Sequence, residues 1–99
     1  MEDIVYYTIL FDYYGSLFTE KQQQYFKDYY FENLSFREIA SRYGVSPNAV
    51  YHQLKDVKSS LESYENVLHL VSKQQKLEKL YENVDDEKLK IEIKKIIAL

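Results

Sequence analysis

Residues 34–54 read LSFREIASRYGVSPNAVYHQL, and their spacing is that of a helix-turn-helix. Ser35 and Glu38 form a capping box, in which each side chain satisfies a free amide at the start of a helix. That helix runs through Tyr43, and Gly44 supplies the left-handed residue that ends it. Ser46 is the next N-cap, and Pro47 stands at the first helical position, where its fixed φ suits the helix and its missing N–H costs nothing. The proline therefore starts the second helix of the motif rather than breaking it.

Ile39, Ala40, Gly44, Val45, Val50 and Leu54 make the framework of the motif, which spans 35–55. Ala40 is small because the second helix must cross closely above it, and Val45 plugs the space between the two. With Val50 and Leu54 turned inward, Asn48, Tyr51, His52 and Lys55 face outward, as the base-reading residues of a recognition helix do. Asn48 has the amide that pairs with adenine, and Tyr51 offers an aromatic edge and a hydroxyl. Arg37, Arg42, Lys55 and Lys58 are the candidate phosphate contacts. Against these, Pro47 donates nothing and Asp56 repels phosphate if it faces the groove. The same framework also occurs in helical hairpins that contact only proteins.

Working outward, the pattern is helical throughout. Ile4, Tyr7, Phe11, Tyr14 and Phe18 fall at spacings of three and four, and Leu10 and Leu17 widen that stripe, so the first helix is expected to leave little surface to water. Gly15 and Ser16 end it. Thr19 and Gln22 form another capping box, opening a helix over about 20–31 that turns Phe26, Tyr29 and Tyr30 toward the core. After Pro47 no strong stop signal occurs until about Asn83, apart from a possible interruption at Ser59 and Ser60. Asp85 and Asp86 cap a last helix carrying Leu89, Ile93, Ile96 and Ile97.

Val50, Leu54, Val57, Leu61, Tyr64, Leu68 and Val71 form a heptad stripe. Val50, Leu54 and Val57 belong to the domain core. Leu61, Tyr64, Leu68 and Val71 lie beyond the expected reach of a compact three-helix body, and a two-fold interface is expected there. Two recognition helices would then address two half-sites. The expected division is a helix-turn-helix domain over 1–58 and a C-terminal helical extension over 59–99.

Composition agrees with an all-α domain. The 99 residues hold 11 Tyr and 5 Phe but only 2 Gly and 1 Pro, which favours long helices with short connections. No cysteine is present, which excludes disulfides and thiolate metal sites. The acidic start, MED, does not read as a secretory signal, and the longest apolar run, residues 4–11, is too short to span a bilayer. The expectation is a cytoplasmic protein. His52 and His69 are isolated and no phosphate-cradling glycine loop occurs, so no enzyme, metal site or cofactor is expected. The formal net charge is −3, yet residues 35–60 carry four basic and two acidic side chains, so the positive excess coincides with the motif. A monomer offering about four phosphate contacts binds DNA weakly at physiological salt, a further reason to expect two copies.

LFDYYGSLFTEKQ (10–22), with LSFREIASRYGVS (34–46), AVYHQLK (49–55) and LESYENVLHL (61–70), resembles the YlxM family of small bacterial helix-turn-helix proteins. The resemblance covers roughly residues 4–71. It implies a fold similar to region 4 of sigma factors, within the winged-helix-like DNA-binding superfamily but without a wing. The family's genes usually neighbour those of the signal recognition particle GTPases, which implies a regulatory role in that pathway and one of its components as a partner. This sequence has Ser46, Pro47, Asn48 where the family usually has Ser-Arg-Gln, and Asp56 after Lys55 where a basic pair is usual.

Overall fold

A computed structural model describes residues 3–99. It contains six α-helices, α1 (Ile4–Tyr14), α2 (Glu20–Tyr30), α3 (Phe36–Tyr43), α4 (Pro47–Leu68), α5 (Leu70–Asn83) and α6 (Glu87–Ile97), with a 3₁₀ turn at Gly15–Leu17 after α1. The chain forms two compact units, one ending at Val67 and the other spanning Leu68–Leu99.

Local chemistry sets each boundary in the first unit. Asp3 caps α1 by accepting from the Tyr6 amide. The Thr19 and Gln22 box opens α2 and the Ser35 and Glu38 box opens α3, each with both reciprocal bonds formed. Gly44 takes φ 68, and the Val45 amide closes back on the Ala40 carbonyl at 3.0 Å, which satisfies an end carbonyl of α3. Ser46 Oγ accepts from the Ala49 amide at 3.1 Å and starts α4.

The core of this unit mixes stacked rings with aliphatic side chains. Phe11 stacks on Phe26 with centroids 4.1 Å apart, and Phe26 stacks in turn on Tyr30. Leu10, Tyr25, Ile39, Val50, Val57 and Leu61 have no exposed surface. Two tyrosines of α1 clip the far half of α4: Tyr7 Oη donates to Glu62, and Tyr14 Oη donates to the buried Glu65 at 2.6 Å. These bonds explain a departure from the sequence reading. Leu61 is fully buried because α1, some fifty positions earlier in the chain, covers this half of α4, and the body of the domain extends past the expected limit at residue 58.

Two other expectations are corrected. α4 runs unbroken through Ser59 and Ser60 and stops at His69, whose left-handed backbone (φ 55, ψ 30) separates it from α5. The stripe of the first helix is not wholly withdrawn from water either: Ile4 and Val5 at its start and Leu17 in the turn after it are each more than half exposed, and the buried residues of α1 are Leu10, Phe11 and Tyr14.

The second unit is an antiparallel helical hairpin. The Gln74 side-chain amide donates to the Ile97 carbonyl, while the Lys90 ammonium lies over the Tyr81 ring. Asp86 caps α6 through the Lys88 and Leu89 amides. Asp85, the other expected cap, makes neither bond.

Candidate nucleic-acid interface

The candidate interface is built on α3 and the first three turns of α4. Asn48, Tyr51, His52 and Lys55 are all exposed along one side of α4, at the spacing the sequence predicts. Behind them Val50 and Leu54 are buried, which fixes the roll of the helix about its axis. Asn48 and Lys55 have no hydrogen-bond or ion-pair partner among the described residues, so their polar groups are available to a ligand. Tyr51 is held edge-on to Phe36 (5.9 Å) and to His52 (5.3 Å), which orders its ring at the surface.

The four candidate phosphate contacts differ in their surroundings. Arg37 is exposed and has no partner among the described residues. Arg42 donates from Nη1 to Asp28 Oδ1 at 3.2 Å, although half of its side chain remains exposed. Lys58 is half-buried, with its ammonium 4.8 Å from the centroid of the Tyr7 ring. Lys55 is the cation that the recognition helix presents outward without an internal anchor.

Asp28 is a residue the sequence pattern did not single out. It is 1% exposed and accepts from Arg42, from Tyr43 Oη at 2.8 Å and from Gln24 Nε2 at 3.4 Å. A buried carboxylate survives only with such donors, and these tie the last turn of α2 to the end of α3. The Tyr43 hydroxyl is pushed above its ordinary value by burial and by its hydrogen bond to Asp28, and the nearby Asp28 charge adds to the shift. Glu38 is held below its ordinary value by the backbone and side-chain hydrogen bonds of Ser35, helped by the charge of Arg42. Its anion serves the cap of α3, so it is not a free acid on the interface.

Of the four residues expected at a dimer seam, Leu61 is fully buried in the first unit and Tyr64 packs half-buried against Tyr14 and Phe18. Val71 is buried as well, and Leu68 retains 43% of its surface. The hairpin carries other exposed apolar side chains, Leu70, Leu80, Leu89, Ile91 and Ile96.

The capped α3, the glycine turn and the outward-facing α4 together define a helix-turn-helix protein. The comparison with known proteins agrees. Residues 1–98 match the model of the UPF0122 family, described as "Putative helix-turn-helix protein, YlxM / p13 like", and the chain belongs to that family. A UPF0122 protein of Caldanaerobacter subterraneus subsp. tengcongensis is 39% identical over 85 residues, 86% of this chain and 73% of the relative. One from Malacoplasma penetrans is 37% identical over 87 residues, covering 88% and 81%, and one from Oceanobacillus iheyensis is 45% identical over 75 residues, covering 76% and 71%.

Proposed function

We propose that this protein is a DNA-binding regulator without enzymatic activity, reading duplex DNA with the exposed side of α4. The observation that carries this reading is the pairing of Asn48 and Lys55 on one helix side with no internal partner, beside the ordered ring of Tyr51. Asn48 supplies base contact, while Lys55 and Arg37 supply phosphate contact. Arg42 contributes less, because Asp28 already shares its charge.

Fluorescence anisotropy on random duplex DNA tests the reading. Binding should weaken steeply from low to physiological salt, and Lys55→Glu and Arg37→Glu should each reduce both the affinity and the salt slope. Binding by a Lys55→Glu, Arg37→Glu double variant equal to wild type would remove the proposed face from consideration.

The protein acts in this reading as a homodimer in the cytoplasm. Among the described residues no helix is long and apolar enough to cross a membrane. Leu68 is the member of the expected seam that keeps surface for a second copy, and Leu80 and Ile91 of the same unit are also about half exposed. Light scattering on Leu68→Glu and Leu80→Glu checks this, and an unchanged mass for both would exclude a seam through either residue. The family resemblance makes components of the signal recognition particle machinery the protein partners to try first.

A further inference from the structure

Within the first unit, a groove of about 280 Å³ is lined by Leu54 and by the rings of Tyr29, Tyr30, Phe36 and Tyr51. Tyr29 stacks on Phe36 with centroids 4.9 Å apart and 17° between planes, and Phe36 meets Tyr51 edge-on. Tyr29 and Phe36 are half-buried and Tyr51 is exposed, so these rings are not sealed into the core. Three polar groups of the lining have no hydrogen-bond or ion-pair partner among the described residues: the Tyr29 hydroxyl, the Tyr51 hydroxyl and the Lys55 ammonium. Lys58, the other lining cation, is engaged elsewhere, with its ammonium over the Tyr7 ring of α1. Among the described residues no acidic side chain lines the groove.

We infer that this groove is an effector site for a planar aromatic carboxylate, which competes with DNA for Tyr51 and Lys55. The aromatic lining favours a flat ring that meets its neighbours face-on or edge-on. All three open polar groups can donate, and an ionised carboxylate only accepts, through two oxygens. One unengaged ammonium matches the single charge of a carboxylate rather than the double charge of a phosphate monoester. A few polar groups in a mostly apolar lining are the usual makeup of a small-molecule site. The volume, at the low end of that class, suits one ring or two fused rings with a short acid arm. The competition rests on the DNA binding proposed above, because Tyr51 and Lys55 also belong to the exposed side of α4. A ligand that holds them in the groove withdraws them from the duplex, so DNA is released as the acid accumulates.

The test titrates the ¹⁵N-labelled full chain with indole-3-acetate, and with indole and acetate as half-ligands. Indole-3-acetate should shift the amides of Tyr29, Phe36, Tyr51 and Lys55 along one saturable isotherm. Indole should bind at least about threefold more weakly, the worth of one exposed charge pair, and acetate should not saturate by about 10 mM. Lys55→Gln should weaken the acid about threefold more than it weakens indole, whereas Tyr51→Leu should weaken both. Both side chains are exposed, so neither change opens the core. In fluorescence anisotropy, indole-3-acetate at about ten times its own Kd should raise the apparent Kd for random duplex about tenfold, and acetate at equal concentration should not. No saturable shift by about 10 mM indole-3-acetate, or an equal response to indole or to acetate, overturns the proposal. Saturation of the groove with no loss of DNA affinity overturns it as well. If the wild-type chain binds no duplex at any salt, the DNA reading fails and the competition falls with it, while the titration still decides the carboxylate site.

Discussion

The two units of this chain use the same helical grammar and bury very different amounts of side chain. In the first unit, aromatic rings stack and seven of its aromatic and aliphatic residues, Leu10, Tyr25, Phe26, Ile39, Val50, Val57 and Leu61, have no exposed surface. In the hairpin of Leu68–Leu99 none of the described residues is so fully sealed: Val71 and Ile93 are buried at 5% exposure, while Leu80, Leu89, Ile91 and Ile96 remain about half exposed. Capping does not account for the contrast, since α6, like α3, starts on a side-chain N-cap. The difference lies in tertiary cover, which supplies most helical stability in proteins. The first unit holds a sealed core behind its exposed α3 and α4 residues, whereas the hairpin leaves several large apolar side chains in water.

The largest effect expected tests that contrast directly. Phe26→Ala should cost about 3–5 kcal/mol, because it opens a cavity between Phe11 and Tyr30 that a stacked cluster closes poorly. Ile93→Ala should cost about 2 kcal/mol, the low end for such a truncation, because a two-helix unit collapses easily around the gap. Urea unfolding of the full chain followed by circular dichroism measures both. Equal losses would mean that the hairpin is packed as tightly as the body, and the comparison would fall.

A second contrast concerns ion pairs, one in each unit. Asp28 is buried under three donors, so Asp28→Ala should cost about 2–3 kcal/mol, less than a fully buried pair because Arg42 can turn to solvent. In the hairpin, Glu92 and Lys95 meet at 3.4 Å with both side chains about two-thirds exposed. Glu92→Ala should change stability by less than about 0.5 kcal/mol. A loss above about 1 kcal/mol there would show that the hairpin's surface charges work as a network.

The features legible in the sequence are the local ones. Thr19 with Gln22, Ser35 with Glu38, and Ser46 with Pro47 each act within three residues, so the elements of the motif and the outward side of α4 follow from spacing alone. Asp28 pairs with Arg42 across 14 positions and Tyr14 with Glu65 across 51, and no periodicity carries such information. Those two links decide that Arg42 is anchored and that Leu61 is core. The end of α4 was hidden for a different reason. His69 adopts a left-handed backbone that only Gly or Asn would have announced. Tyr29 and Tyr30 read as plain core residues in the sequence, and their half-buried state follows only from the packing of the helices around them.

Two of the three left-handed residues described, Gly44 and His69, give the third test, one from each unit. Gly44 at φ 68 has open space where a Cβ would stand, so Gly44→Ala carries the backbone penalty alone, about 1 kcal/mol. His69 at φ 55 already bears such a penalty, and His69→Gly should recover part of it, up to about 1 kcal/mol less the added freedom of the unfolded chain. Thermal melts should move in opposite directions. A destabilised His69→Gly would show that the imidazole makes a compensating contact, and the end of α4 would then be specified as firmly as the turn of the motif.

The smallest effect separates a reciprocal cap from a one-sided one. Glu38 belongs to the Ser35 box of α3, whereas Asp86 caps α6 without a return bond from a partner side chain. The hydrogen bonds from Ser35 hold Glu38 below its ordinary value of 4.5. The unfolded chain therefore binds a proton at a pH where the folded chain does not, and stability rises with pH across that window. The contribution is complete above the ordinary Glu range and disappears as the pH falls through the lowered folded value. Glu38→Gln keeps an oxygen to accept from the Ser35 amide but cannot titrate. The melting-temperature gap between wild type and Glu38→Gln should hence shrink as pH is lowered from about 5 to about 3. A gap independent of pH would mean that the charge of Glu38 adds nothing to the cap, leaving the α3 box no different in kind from the neutral Thr19 and Gln22 box of α2.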